Sequence, residues 1–215
     1  MINSLRERGL QCKTIDLGIF DYLKHTVSEQ CHSIKVHSVA FAGNLEKSIF
    51  LEDWISMPKN YDLELYGLLS QEKLNACQEH GKIVYHGSLS PNEIVEKIEG
   101  SFGLVWDGTS VETCDGDFGE YLKLNDPHKF SLYIAAGMPV IIWDKSALSD
   151  FVREYGIGIC VENLHEIQNI MNNTSDDEYS EMLSNLKKVQ ERVNNGSFLS
   201  DCIRTIRSFD SEADK

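Results

Sequence analysis

The run Asp126-Pro127-His128-Lys129-Phe130-Ser131 is the part of this 215-residue chain best equipped to do chemistry. Proline suits the first turn of a helix, where its missing N–H has no intrahelical partner to lose. The free backbone N–H groups of that turn and the positive end of the helix dipole favour an anion. Lys129 adds a full charge and Ser131 a further donor, so the segment is a candidate seat for a phosphate or diphosphate. The helix should end at Gly137, turn at Pro139 and feed the apolar strand up to Trp143. Ordinary helices of α/β proteins also begin with Asp-Pro and a lysine, and this segment alone leaves both readings open. His128 could donate to a phosphate or act as an acid–base group, or be plain polar surface.

Three other loops carry candidate residues. Gly43-Asn44-Leu45-Glu46-Lys47-Ser48 follows an apolar run. Its glycine permits close approach of backbone to a ligand, and Lys47 could reach a phosphate. It matches neither the Walker pattern nor G-x-G-x-x-G, and Asn44 could simply cap a helix beside an exposed lysine. His86-Gly87-Ser88-Leu89-Ser90 could offer backbone groups to the edge of a base, or be turn chemistry only. The third loop runs from Trp106 through Cys114-Asp115-Gly116-Asp117-Phe118-Gly119-Glu120-Tyr121, and long ordered loops in compact domains are often functional. Its Asp115/Asp117 pair resembles an Asp-x-Asp metal holder, but an acidic chain yields such pairs by chance. No metal ligand is assigned. Glu120 and Tyr121 stand just ahead of the Pro127 helix, where Glu120 could accept from sugar hydroxyls. Cys114 has no evident base to activate it, which argues against nucleophilic catalysis.

Short apolar runs alternate with amphipathic stretches and so position these loops. Strands are expected at residues 39–42, 63–66, 82–86, 102–106, 139–143 and 158–161. Helices are expected at 46–56, 71–80, from 91, from 127, and at 147–155 and 164–171. Ser90-Pro91-Asn92-Glu93 has capping-box spacing. This alternation implies βαβ units and a parallel sheet, and ligands of open α/β sheets bind at the carboxyl edge of the strands. The expected fold is therefore α/β, a Rossmann-like parallel sheet flanked by helices. Beyond it, residues 177–194 and 198–208 read as further helices before a frayed acidic tail. At the front, a helix tail, Gly9 and a strand at 13–15 cannot make a domain alone. They read as the last piece of something preceding. The expected organisation is 1–25 as that remnant, 26–36 as linker, 37–173 as the Rossmann-like domain and 174–215 as C-terminal helices and tail.

Composition sets the outer bounds. Hydrophobic residues make up 41% of the chain, and 34 acidic against 20 basic residues leave a net charge of −14. That balance argues against a general nucleic-acid binder, which needs a basic face. No apolar run reaches the roughly 20 residues of a membrane span, and no signal-peptide pattern opens the chain. The six cysteines are scattered without a C-x-x-C pair, so reduced thiols in a cytoplasm are expected.

Four pieces in one order resemble a known family: Phe41-Ala42-Gly43-Asn44-Leu45 with Lys47; Tyr85-His86-Gly87; Gly100 through Gly108; and Asn125-Asp126-Pro127-His128-Lys129 through Val140. Together they resemble bacterial two-domain glycosyltransferases of the GT-B type. Among these are the glucosyltransferases that glycosylate serine-rich-repeat adhesins, and related galactofuranosyltransferases. The resemblance implies the C-terminal, donor-binding half of such an enzyme. It implies a UDP-sugar as co-substrate, a glycan or glycoprotein acceptor and no required metal or other cofactor. By the same resemblance, Asn44, Lys47, Lys129 and Ser131 hold the diphosphate, while Ser88, Leu89, Glu120 and Tyr121 lie near uracil, ribose or sugar. Members of the family carry a complete acceptor-side domain at the front, which here is nearly all missing, so the chain is expected to transfer poorly alone. It would then need a protein partner supplying that domain, or a homo-oligomer. No general base is identifiable. A non-catalytic partner subunit of a full-length transferase, or a UDP-sugar epimerase, remain as alternatives.

Overall fold

The computed structural model describes residues 2–24, 32–79 and 81–213. Six strands form one wholly parallel sheet: β1 (Ser38–Ala42), β2 (Asp62–Tyr66), β3 (Ile83–Gly87), β4 (Phe102–Val105), β5 (Val140–Trp143) and β6 (Gly158–Val161), in the order β3-β2-β1-β4-β5-β6. The order reverses between β1 and β4, the switch point where ligands of doubly wound sheets sit. β1, β4 and β5 are buried throughout, as expected of strands covered on both faces.

Helices alternate with the strands: α1 (Ile2–Glu7) ahead of the sheet, then α2 (Phe50–Ser56), α3 (Gln71–Glu79), α4 (Pro91–Lys97), α5 (Gly116–Leu122), α6 (His128–Ala136), α7 (Ser149–Tyr155) and α8 (Glu166–Asn173). Two long helices follow, α9 (Asp176–Asn194) and α10 (Ser197–Ala213). None of the helices among the described residues is long and apolar enough to cross a membrane. The capping boxes at Ser90/Glu93 and Ser175/Glu178 both form and start α4 and α9.

The structure corrects four expectations. No strand forms at Lys13–Ile15, because no strand among the described residues lies beside it to pair with it. α2 starts at Phe50 rather than near Glu46, since Asn44 and Leu45 spend their backbone carbonyls on a tight turn to Lys47 and Ser48. The loop after β4 contains a helix, α5, which the Asp/Gly-rich sequence concealed. The last helix runs past Ser208 to Ala213. The expected linker falls largely on residues 25–31, outside the described residues, and Ile34–Val36 form a 3₁₀ turn. Residues 16–24 are stitched onto the sheet domain. Ile19 lies in its core, Tyr22 N–H donates to Val193 O at 3.1 Å, and Asp21 accepts from the Phe198 and Leu199 N–H groups at the start of α10.

Candidate functional site

Three glycines tie the first three strand ends together. Gly43 N–H donates to Tyr66 O at 3.0 Å, and Gly67 N–H to Gly87 O at 2.8 Å. Gly67 has φ +146°, and a Cβ there would stand 1.8 Å from Gly43 O, so only glycine fits. The Tyr85 hydroxyl closes the group by donating to Gly67 O at 2.9 Å.

α6 is laid on this edge by one aromatic residue. The Tyr133 ring is fully buried against Gly103 of β4, where a Cβ would come within 2.3 Å of it. Its hydroxyl accepts from Ala42 N–H at 2.9 Å, at the end of β1. Gly137 in the left-handed conformation (φ 80°) ends the helix, as is usual for such caps. α9 covers its far end, where Gln190 donates to Ala135 O at 3.0 Å. Held this way, the first turn of α6 faces the loop after β1.

Lys129 sits in that turn with its side chain only 14% exposed. Its Nζ donates to Trp106 O at 3.1 Å and to Asp107 Oδ2 at 3.2 Å, and lies 4.7 Å from the centre of the Phe41 ring. It is also 4.0 Å from where a Gly43 Cβ would be. A cation held by one carboxylate beside an unshielded glycine turn has the chemistry to share its amine with an anionic ligand.

The cleft so formed has a volume of about 530 Å³, within the usual range of small-molecule sites. One end is made by Ala42, Gly43 and Lys129, and the other by Ser88, Leu89, Pro91 and Ile94. Tyr22, Tyr66, Gly67, His128 and Leu132 complete the lining. The structure thus brings Lys129, Ser88 and Leu89 into one cavity.

Apart from His128, the other named residues stand elsewhere. Asn44 and Lys47 are exposed on the turn after β1 and do not line the cleft. The Asn44 side chain accepts from Lys47 N–H at 3.3 Å, which is turn-building. Ser131, expected to donate to a diphosphate, is completely buried, and its hydroxyl has no hydrogen-bond partner among the described residues. Packing between α6 and its neighbours seals it from any ligand in this conformation. Glu120 and Tyr121 are exposed on α5, and Glu120 pairs with Lys123 at 2.6 Å. Asp115 caps the loop, accepting from the Thr109 hydroxyl and N–H at 2.6 and 2.9 Å, which holds its carboxyl below the usual range. His128 lines the cleft with its ring stacked on Phe20 at 4.8 Å.

Asp107 and Tyr22 were missed. A carboxylate just past the β4 strand, ahead of a helix with a lysine in its first turn, is a legible signal for Asp107. Tyr22 lies in a stretch, residues 17–23, where the family resemblance is only a weak echo, and its place depends on contacts far along the chain.

Comparison with known proteins decides the family. Residues 39–206 match the model of the glucosyltransferase 3-like C-terminal domain. The chain belongs to this family. It is 37% identical over 203 residues to the β-1,6-galactofuranosyltransferase WbbI of Escherichia coli (strain K12), covering 91% of this chain and 57% of that protein. It is 32% identical over 159 residues to glucosyltransferase 3 of Streptococcus gordonii, covering 74% and 44%. The chain therefore spans about half the length of the curated relatives it matches. Among solved structures, a variant of S. aureus TarM in complex with fondaparinux, α-GlcNAc-glycerol and UDP superposes with a TM-score of 0.61 at 15% identity, covering 94% of this chain and 41% of that one. Anabaena HepE in complex with UDP gives 0.50 at 15% identity, covering 80% and 49%. These likenesses show the Rossmann-like fold of GT-B glycosyltransferases, and the family is that of a glycosyltransferase C-terminal domain rather than an epimerase.

Proposed function

We propose that this cleft binds the nucleoside diphosphate of a UDP-sugar, as the donor half of a transferase acting on a glycan or glycoprotein acceptor. The observation that carries the reading is Lys129, a mostly buried amine at the first turn of α6, facing Gly43 across the carboxyl edge of the sheet. Its charge and the end of the helix dipole oppose the charge that develops on a leaving diphosphate. Fixed donors of this kind do the work a divalent metal does in other transferases, so the proposal includes metal-independent binding. TarM and HepE, crystallised with UDP, support the ligand class, and the curated relatives support sugar transfer. Ser88 and Leu89 lie at the far end of the cavity, where backbone can meet a base edge.

Calorimetry with UDP, with and without Mg²⁺, tests the reading. Wild type should bind in both conditions, and Lys129→Ala should weaken binding by tenfold or more, since a charge-assisted hydrogen bond contributes roughly 1.5–3 kcal/mol. Full affinity in the variant would place the diphosphate elsewhere.

A further inference from the structure

The segment carrying Tyr22 is pinned across the mouth of the cleft. Phe20 N–H donates to Asp126 Oδ2 at 2.6 Å, and the Phe20 ring stacks on His128. Two residues on, Tyr22 N–H donates to Val193 O at the end of α9, while its hydroxyl donates to Pro91 O at 2.6 Å, on the first residue of α4. The Tyr22 ring therefore bridges the gap between the two sides of the cavity and lines it together with Leu89, Pro91 and Ile94. That end is apolar, and the other holds the Lys129 amine. The pair suits a ligand with a flat, weakly polar group at one end and an anionic tail at the other.

From this geometry we infer that Tyr22 is a specificity-determining residue: its ring is the outer wall of the base-binding end and limits that end to a pyrimidine. The inference rests on the nucleotide reading above and adds to it the residue that selects the base. With its backbone held by Val193 O, the ring cannot swing away without losing its hydroxyl bond to Pro91 O. A purine, one ring longer, meets Tyr22 where a pyrimidine does not. Burial raises the Tyr22 hydroxyl above its ordinary titration range, so it remains a donor to Pro91 O throughout neutral pH. The face of the ring is also a stacking surface for the base.

The test measures binding of UDP, ADP and inorganic pyrophosphate to the full chain, with thermal melts to confirm folding. Wild type should prefer UDP to ADP. Tyr22→Ala should lose about tenfold in UDP affinity, the effect of one aromatic–base stack, and should narrow the UDP/ADP ratio while leaving pyrophosphate unchanged. Tyr22→Phe keeps the wall and frees its tip, so it should retain UDP affinity within a few-fold yet admit ADP better. Ile94→Trp fills the same end from the opposite side and should block UDP while sparing pyrophosphate, which covers the case of a misfolded Tyr22 variant. UDP affinity and UDP/ADP ratio both unchanged in Tyr22→Ala would overturn the inference and leave the nucleotide reading standing. Wild type that binds neither UDP nor pyrophosphate would overturn both.

Discussion

Lys129 is bonded to Asp107 before any ligand arrives. An incoming diphosphate must share the amine with that carboxylate and tolerate its negative charge, 37% exposed at the cleft. Asp107 therefore costs affinity at the residue scale while it keeps Lys129 aimed. Replacing the charge and keeping the shape separates the two effects. Asp107→Asn should tighten UDP binding by about three- to tenfold at low salt, because a partly exposed like charge within ion-pair distance opposes the ligand by roughly 1 kcal/mol. The gain should shrink in 0.5 M salt, as screening removes it. Calorimetry at two ionic strengths reads both; unchanged affinity at low salt would mean that the diphosphate sits too far from Lys129 to feel its counter-ion. Ser131 teaches the opposite lesson. Its type and spacing are right for a phosphate donor, yet a side chain with no exposure can donate nothing to a ligand.

At the scale of elements, α6 acts through one close approach. Gly103 gives the Tyr133 ring its place on the sheet, and the ring gives α6 its height over β1 and β4. Gly103→Ala would put a methyl 2.3 Å from a ring that is wholly buried. The helix must then lift, carrying Lys129 away from Gly43. Overpacking of this kind costs about 1–3 kcal/mol, so the melting temperature should drop by several degrees and UDP affinity should fall with it. A variant that melts lower but binds normally would show that the site tolerates the shift. Most elements were legible in the sequence because buried parallel strands read as apolar runs closed by Gly, and because the Ser90-x-x-Glu93 cap announces α4. α5 was not. Its Gly116 and Gly119 speak against a helix, but Gly119 is required by a local close approach, since a Cβ would come within 2.2 Å of Cys114 O in the preceding loop. Tyr22 was hidden for a different reason, as its partner Pro91 is 69 residues away.

Across the whole molecule, residues 16–24 join three regions that are distant in sequence: the start of α6 through Asp126, the end of α9 through Val193, and the start of α4 through Pro91. The join at α6 is sensitive to pH. Burial pushes the Asp126 carboxyl up to about 7, partly offset by the Phe20 N–H bond, and its second oxygen has no partner among the described residues. In the unfolded chain an aspartate titrates near 3.9. Between about pH 4 and pH 7 the folded state thus holds a proton that the unfolded state has released, and stability contributed by this group declines as pH rises through that window. By pH 8 the folded chain carries a buried charge at a cost on the order of 2 kcal/mol, once local release of the segment limits the full shift. Asp126→Asn keeps an acceptor for Phe20 N–H and cannot ionise. Wild type should therefore lose several degrees of melting temperature relative to Asp126→Asn between pH 5 and pH 8, and the variant should be the more stable of the two at pH 8. Parallel melting curves across that range would show that Asp126 is ionised at little cost, and that water reaches the seam between residues 16–24 and α6.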